Sequence, residues 1–370
     1  MVSKRALDVE PDQAEHEQKR TKLTVKNCSG CAESKPLDQY SACTRNKSGL
    51  RAQCKTCCSV VSKKYRDTES GFLKSLIKSS TSNTSKRNKK GRNLTSTLTE
   101  AKLRELIKNQ DGKCAISGAV LAFKQFSNNK ASVDRINDGL GYIDGNCRLV
   151  CLEFNTATKW SRELLVKAVS LSGIPPENFD NEISELEIVL SNKHFGTQKK
   201  WTIQTKNGNS VIFCHYCSET KPRKDFVAKI SVGCKTCLTK KNLDYKNTWR
   251  GAFQRLIGSA KLSTKARNKC LKKGATKQEC NITYKELVGI LKKQGGMCAY
   301  SKVALSPKMG DWKVSLERVE VKEGYIASNV LLVCQRFNAC DCSALADGPV
   351  SGSGGWSRAK FLQYAQLVSN

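Results

Sequence analysis

Apolar positions along the chain fall into short bursts separated by polar stretches. Phe72, Leu73, Leu76 and Ile77 recur at helical spacing and predict an amphipathic helix with a charged back. Leu103, Leu106 and Ile107 do the same over residues 99–110, with Thr99 placed to cap the helix and Asp111-Gly112 to end it. Residues 131–136 and 147–152, ASVDRI and CRLVCL, are rich in β-branched side chains and predict two short strands. The loop between them is closed by Gly141-Tyr142 and Gly145, and a helix is expected after Asn155 with Ser161 as its cap. The stretch from 99 to 170 therefore reads as a helix, a hairpin and a second helix.

The pattern then recurs. Phe253, Leu256 and Ile257 predict a second amphipathic helix, and Thr283 caps another that carries Leu287, Ile290 and Leu291. Glu317, Asn329 and Asn338 follow Asp134, Asn146 and Asn155 at one constant offset, and Cys298 follows Cys114. Landmarks repeated in one order at one offset indicate a tandem duplication. Between the copies, Pro175-Pro176 and an acidic run of Glu177, Asp180, Glu182, Glu185 and Glu187 read as a linker with one short helix.

Cysteine spacing adds chemistry. Cys28-x-x-Cys31 with Cys54-x-x-Cys57, and Cys214-x-x-Cys217 with Cys234-x-x-Cys237, each present four thiolates on two tight turns. That set suits tetrahedral structural zinc. Lys35-Pro36 and Tyr40 in the first ribbon match Lys221-Pro222 and Phe226 in the second; Cys43, Cys58 and His215 are not needed as ligands. The expected fold class is α+β, with each half a four-cysteine zinc ribbon, a basic helical segment and a ββα unit. The expected boundaries are 1–25 (basic tail), 26–62 (ribbon 1), 63–98 (basic segment), 99–170 (ββα unit 1), 171–208 (linker), 209–242 (ribbon 2), 243–280 (basic segment) and 281–370 (ββα unit 2).

Charge narrows the partner. The 370 residues hold 64 Lys and Arg against 33 Asp and Glu, a net charge of +31. Such an excess points to a polyanion, and nucleic acid is the simplest. The charge clusters at Lys86, Arg87, Lys89, Lys90 and Arg92, and again at Lys261, Lys265, Arg267 and Lys269, as expected for phosphate contacts. A solvated basic surface is the plainer alternative. No apolar run approaches a membrane span, and the odd count of 19 cysteines favours metal or buried thiols over disulfides. No obligate oligomer is implied. Lys4-Arg5 and Lys19-Arg20-Thr21-Lys22 read either as a bipartite nuclear import signal or as an ordinary basic tail. The expected location is the nucleus, with the cytoplasm or a virus-infected cell as alternatives.

The strings SVDRIN (132–137), GYIDGN (141–146), EFNT (153–156) and Trp160 resemble the core of the HNH, or His-Me finger, endonuclease family, of the type found in phages, giant viruses and protists. The likeness covers roughly 60 residues in each half. It implies a divalent-metal-dependent phosphodiesterase acting on nucleic acid, DNA ahead of RNA. Carried over residue by residue, Asp134 and Asn155 would hold Mg²⁺ or Mn²⁺, and Asn146 would fix the loop. The family's general base is a His after the Asp, but this chain has Arg135, which stays protonated and is expected to clamp phosphate instead. Glu153 or metal-bound water would have to serve as base. The second copy, with Glu317, Arg318, Asn329 and Asn338, drifts further and is expected to lean towards binding. Many family members also carry a zinc on two CxxC pairs within the unit. Here these pairs read Cys114-x-x-Ser117 with Cys151-x-x-Phe154, and Cys298-x-x-Ser301 with Cys334-x-x-Phe337. Two thiolates make a poor zinc cage, so buried thiols are expected; a zinc retained through Cys147 is the alternative. Against the nuclease stand a degenerate nucleic-acid-binding protein that kept the fold and a zinc-ribbon adaptor for proteins.

Overall fold

The computed structural model describes residues 25–125, 127–156, 158–191, 203–206, 209–227, 233–271, 274–338 and 355–369. The basic tail with its import-signal motif, and most of the insertion before Trp356, lie outside these residues. Among them the chain is mixed α+β, with nine α-helices and small antiparallel sheets. It divides into two compact units, residues 1–75 and 76–370.

The first unit holds ribbon 1. Strands β1 (Val25–Asn27) and β2 (Ser34–Pro36) pair antiparallel, and α1 (Lys55–Arg66) starts at Cys54. Cys28, Tyr40 and Cys54 form its small core, with Cys31, Leu50 and Cys57 packed against them. A core this small leaves room for a cross-link such as a metal to add most of the stability.

Helix α2 (Glu69–Asn88) crosses from the first unit into the second. It runs well beyond the Phe72–Ile77 segment that apolar spacing predicts, and takes in Lys86 and Arg87. The Ser/Thr-rich run does not break it because the hydroxyls bond back one turn: Ser80 to the Ile77 carbonyl, Thr81 to Ile77 and Ser85 to Thr81. Asn88 ends the helix by accepting from the Leu94 amide and donating to the Leu94 carbonyl. Asn268 does the same for Gln278 in the second copy.

The first ββα unit comprises α3 (Glu100–Asn109), the hairpin β3 (Ala131–Arg135) and β4 (Cys147–Cys151), and α4 (Arg162–Ser170). Thr99 caps α3 and Ser161 caps α4, each accepting from a backbone amide in the first turn. Helix α4 begins at Arg162, directly after its expected cap Ser161. Gly141 lies so close to Thr95 that a Cβ would come 1.7 Å from its carbonyl oxygen. The Gly-Tyr pair is thus a docking point, where the Tyr142 amide donates to Thr95 O. Gly324 meets Glu279 in the same way.

The expected linker contains a thirteen-residue helix, α5 (Phe179–Ser191). Ile183 and Leu186 are buried, Glu182 accepts from the Trp249 indole, and Glu187 pairs with Lys292. The acidic run masks an apolar stripe, and α5 belongs to the body of the second copy. Ribbon 2 follows as a three-stranded sheet, β5 (Ile203–Lys206), β6 (Asn209–Cys214) and β7 (Glu219–Pro222), with α6 (Lys235–Lys246). Then come α7 (Trp249–Lys269), α8 (Tyr284–Lys293), the hairpin β8 (Val314–Arg318) and β9 (Val330–Cys334), and α9 (Arg358–Ser369). The two hairpins have the same register: Ala131 faces Cys151 and Arg135 faces Cys147, as Val314 faces Cys334 and Arg318 faces Val330.

The two ββα units share one core. Phe154 of the first meets Trp356 of the second at 5.2 Å, and Trp160 of the first meets Phe337 of the second at 5.3 Å. The two tryptophans are 5.4 Å apart, and Tyr364 and Phe361 of α9 close the cluster. The Phe–Trp contacts between the two units are reciprocal. Trp356→Ala is expected to cost about 3–5 kcal/mol and to lower the stability of both ββα units together. Urea unfolding followed by fluorescence and far-UV dichroism checks this, and two separated transitions with only one shifted would contradict the shared core.

Candidate metal centres and anion cleft

The ribbon cysteines converge. The sulfurs of Cys28, Cys31, Cys54 and Cys57 lie within 4.8 Å of one another, as do those of Cys214, Cys217, Cys234 and Cys237. Backbone amides at the knuckles point at sulfur: Gly30 N and Cys54 N donate to Cys28, and Cys234 N donates to Cys214. The Cys54 amide is the main cause that brings Cys28 down to about 6. Burial works against Cys214, yet the Cys234, Cys217 and Tyr216 amides outweigh it and bring that thiol also to about 6. Both donor sets fit a zinc ion, which would close each ribbon. Cys43, Cys58 and His215 lie outside the two groups.

Within the ββα units the paired cysteines repeat one bond of the ribbons. The Cys151 amide donates to Cys114 Sγ at 3.3 Å, and the Cys334 amide to Cys298 Sγ at 3.3 Å, the same bond that Cys54 N makes to Cys28. Cys114, Cys151, Cys298 and Cys334 are buried, and so are Ser117 and Ser301. Burial opposes ionisation of Cys114, but bonds from Cys151 and Ser117 prevail and lower it to about 6, while the bond to Cys114 pushes Cys151 far up. Cys147 stands at the other end of β4 from Cys151, about 13 Å away for a four-residue step, and joins no metal group. Phe154 and Phe337, three residues after Cys151 and Cys334, point into the shared aromatic core.

The catalytic set carried over from the nuclease likeness is divided between a cleft and its supports. Asn146 is buried in the hairpin loop. Its Oδ1 accepts from the Asn137 amide, and its Nδ2 donates to the Asn137 and Gly141 carbonyls. Asn329 does the same with Glu320 and Gly324. Arg135 is 4% exposed and serves this loop too. It donates to the Asp138 and Leu140 carbonyls, pairs with the Asp138 carboxylate at 2.8 Å and lies over the Tyr142 ring. Arg318 donates to the Val321 and Glu323 carbonyls and lies over Tyr325. The arginine after each strand carboxylate is thus a loop clamp.

Asp134 and Asn155 both line a cleft of about 510 Å³ between α2 and the hairpin, together with Arg87, Lys130, Arg135 and Lys159. Asn155 Nδ2 donates to Ser132 Oγ and the Val133 carbonyl, and Asn338 repeats this with Ser315 and Leu316. Asp134 Oδ2 accepts from both Nε and Nη2 of Arg148, at 2.9 Å each. Arg148 Nη2 also donates to the Trp160 carbonyl. Lys159 donates to the Arg135 and Ile136 carbonyls and pairs with Asp138. Burial works against the Asp138 charge, but Arg135 and Lys159 hold its carboxyl below the ordinary value.

No protein-family model, curated protein or solved structure matches the chain. The cleft must therefore be judged on its own donors. A divalent cation there would find two carboxylates already paired, Asp134 with Arg148 and Asp138 with Arg135 and Lys159, beside two amides, Asn83 and Asn155, and the cations Arg87 and Lys130. Hard divalent cations seek several oxygens of net negative charge, so this set does not fit Mg²⁺ or Mn²⁺. Glu153 is no free base either. It is buried, pairs with Lys360 and accepts from Tyr364.

In the second copy Glu317 is buried and accepts from the Arg318 amide, while Leu331 stands opposite it where Arg148 faces Asp134. Of the basic residues, Lys86, Lys89, Lys90, Arg92, Lys261, Lys265 and Lys269 are exposed, but Arg267 is half-buried over Tyr325. Lys261 to Lys269 lie on α7 itself rather than beyond it. Sequence reasoning misses Arg148 and Lys159. Arg148 is recoverable, because hairpin register places it opposite Asp134, while Lys159 depends on where the chain runs after Asn155.

Metal analysis of purified chain with a colorimetric chelator is expected to release two zinc ions. Cys28→Ser is expected to leave one and Cys28→Ser with Cys214→Ser none. Asn146→Ala removes three bonds from a buried amide and is expected to cost about 1–3 kcal/mol by urea unfolding, with the zinc content unchanged.

Proposed function

We propose that the chain binds the phosphate backbone of nucleic acid, DNA ahead of RNA, through a zinc-ribbon and ββα framework that has lost hydrolysis. One observation carries this reading: the strand carboxylate Asp134 is neutralised by Arg148 inside a cleft that also holds Arg87, Lys130 and Lys159. An anion entering there meets excess positive charge on rigid elements, and the surplus arginine and lysine groups suit phosphate oxygens. The exposed lysines that follow α2 and line α7 extend the same field. The net charge of +31 supplies long-range attraction, and the two zinc ribbons give the small N-terminal and central folds their stability. Nuclear residence accords with this reading and rests on the N-terminal basic clusters.

The second reading is a metal-dependent HNH-type endonuclease. It is favoured by one fact, that Asp134 and Asn155 line the same cleft, as the metal-holding pair does in the family whose motifs the chain resembles. Among the described residues it lacks a base: Arg135 is taken up by its loop, Glu153 by the core, and His215 sits in a ribbon.

Two measurements separate the readings. In binding assays, Arg87→Ala with Lys159→Ala is expected to weaken affinity for every sequence alike and to reduce the salt slope by about 1 for each phosphate no longer neutralised. An unchanged slope would remove the cleft from the interface. Incubation with supercoiled plasmid and Mg²⁺ or Mn²⁺ is expected to leave it intact. Nicking that disappears in Asp134→Ala would establish the nuclease instead.

A further inference from the structure

The two ribbons share their cysteines, their Lys-Pro turn and their helix, but differ at the first knuckle. Ribbon 1 reads Asn27-Cys28-Ser29-Gly30-Cys31, while ribbon 2 reads Phe213-Cys214-His215-Tyr216-Cys217. Three small or polar side chains in one are three rings in the other.

These rings are seated, yet they face outward. Along β6, Ile212 and Cys214 turn into the ribbon core with Phe226 and Cys234, so Phe213 between them lies on the opposite face of the strand. Phe213 and Tyr216 are each 42% exposed, and His215 is exposed. The Phe213 and His215 rings meet edge to face at 5.3 Å. Tyr216 packs on Gly233 so tightly that a Cβ there would come 2.3 Å from the ring. In ribbon 1 the need for a small residue falls on the knuckle itself, since a Cβ on Gly30 would meet Cys57 Cβ at 2.9 Å. Ribbon 2 thus has space cleared on its second knuckle for a ring on its first. The Lys241 ammonium stands over that ring, 4.1 Å from its centre.

Rings left half in water cost apolar exposure and add nothing to the ribbon core. Fixed aromatic rings beside a cation are the combination that stacks bases and holds the adjoining phosphate. Paired bases keep their faces inside the duplex, so only an unpaired strand can use such a surface.

We propose that Phe213, His215 and Tyr216 form a stacking site for unpaired bases of single-stranded nucleic acid, with Lys241 meeting the neighbouring phosphate. The inference rests on the nucleic-acid reading above but concerns a different surface and a different form of the polymer.

The test uses the full, zinc-loaded chain and fluorescence anisotropy at one fixed salt concentration, with a labelled twelve-nucleotide oligothymidylate and a duplex of equal length. Phe213→Ala and Tyr216→Ala are each expected to weaken single-strand binding by about tenfold, with duplex binding within twofold of the parent. Tyr216→Phe, which keeps the ring, is expected to bind like the parent. Equal losses on both ligands, or no loss on the single strand, would overturn the stacking site while leaving backbone binding intact. Failure of the parent chain to bind either ligand would overturn the nucleic-acid reading itself. Zinc content is measured on each variant. Should Tyr216→Ala lose zinc, photocrosslinking of a 5-iodouracil-substituted strand to the parent chain decides the matter. An adduct mapped to residues 213–216 supports the site, and adducts confined to other peptides refute it.

Discussion

The contact on which residues 76–370 depend is the reciprocal packing of Phe154 and Trp160 against Trp356 and Phe337. Each of these large rings would be left half covered by its own unit, and the other unit supplies the rings that bury it. The same junction contains a buried ion pair, Glu153 with Lys360, to which Tyr364 also donates. At the corresponding position of the second copy Arg336 pairs with Asp311 and donates to the Lys159 carbonyl. Burying charge yields little net stability, but an unmatched partner would be costly. These pairs therefore set the register in which the two copies meet.

That junction also shapes the cleft. Trp160 sits in the aromatic core, and its carbonyl accepts from Arg148, which turns the guanidinium towards Asp134. Lys159, one residue earlier, reaches back to the hairpin loop that Arg135 and Asn146 hold in place. The electrostatic character of the cleft follows from where the shared core puts residues 159 and 160. A carboxylate that would attract a cation in isolation is matched within the fold, and the remaining lysines and arginines leave the cleft cationic.

The copies differ at cleft and knuckle positions while keeping their supports. The loop-fixing asparagines, the Gly-Tyr docking points and the asparagines that cross to the first hairpin strand repeat bond for bond, and the clamping arginines repeat their bonds to the loop carbonyls. Asp134 with Arg148 becomes Glu317 with Leu331, Arg87 in its cleft becomes Arg267 over Tyr325, and the plain knuckle of ribbon 1 becomes the aromatic knuckle of ribbon 2. Duplication within one chain permits this, because one copy can hold the shared core while the other changes its surface.

Much of the architecture was legible in the residues alone. The two four-cysteine groups, the hairpins, the capped helices and the repeated pattern are local or periodic features, and local spacing determines them: CxxC turns bring sulfurs together, alternation makes strands, and Thr99, Ser161 and Thr283 start helices where their side chains meet free amides. The continuation of α2 was hidden because serine and threonine usually favour turns, and here their hydroxyls bond back along the helix. Helix α5 was legible only as one short helix in a linker, because its acidic face masks the buried Ile183 and Leu186. What only the tertiary structure decided were the pairings between residues distant in the chain. Arg135 reads as a phosphate ligand until its loop closes around it, Glu153 as a base until Lys360 and Tyr364 reach it from 211 residues away at the farther contact, and Asp134 as a metal ligand until Arg148 meets it across the hairpin. A sequence lists which charges exist; whether each is left free for a ligand depends on long-range packing that no local pattern encodes.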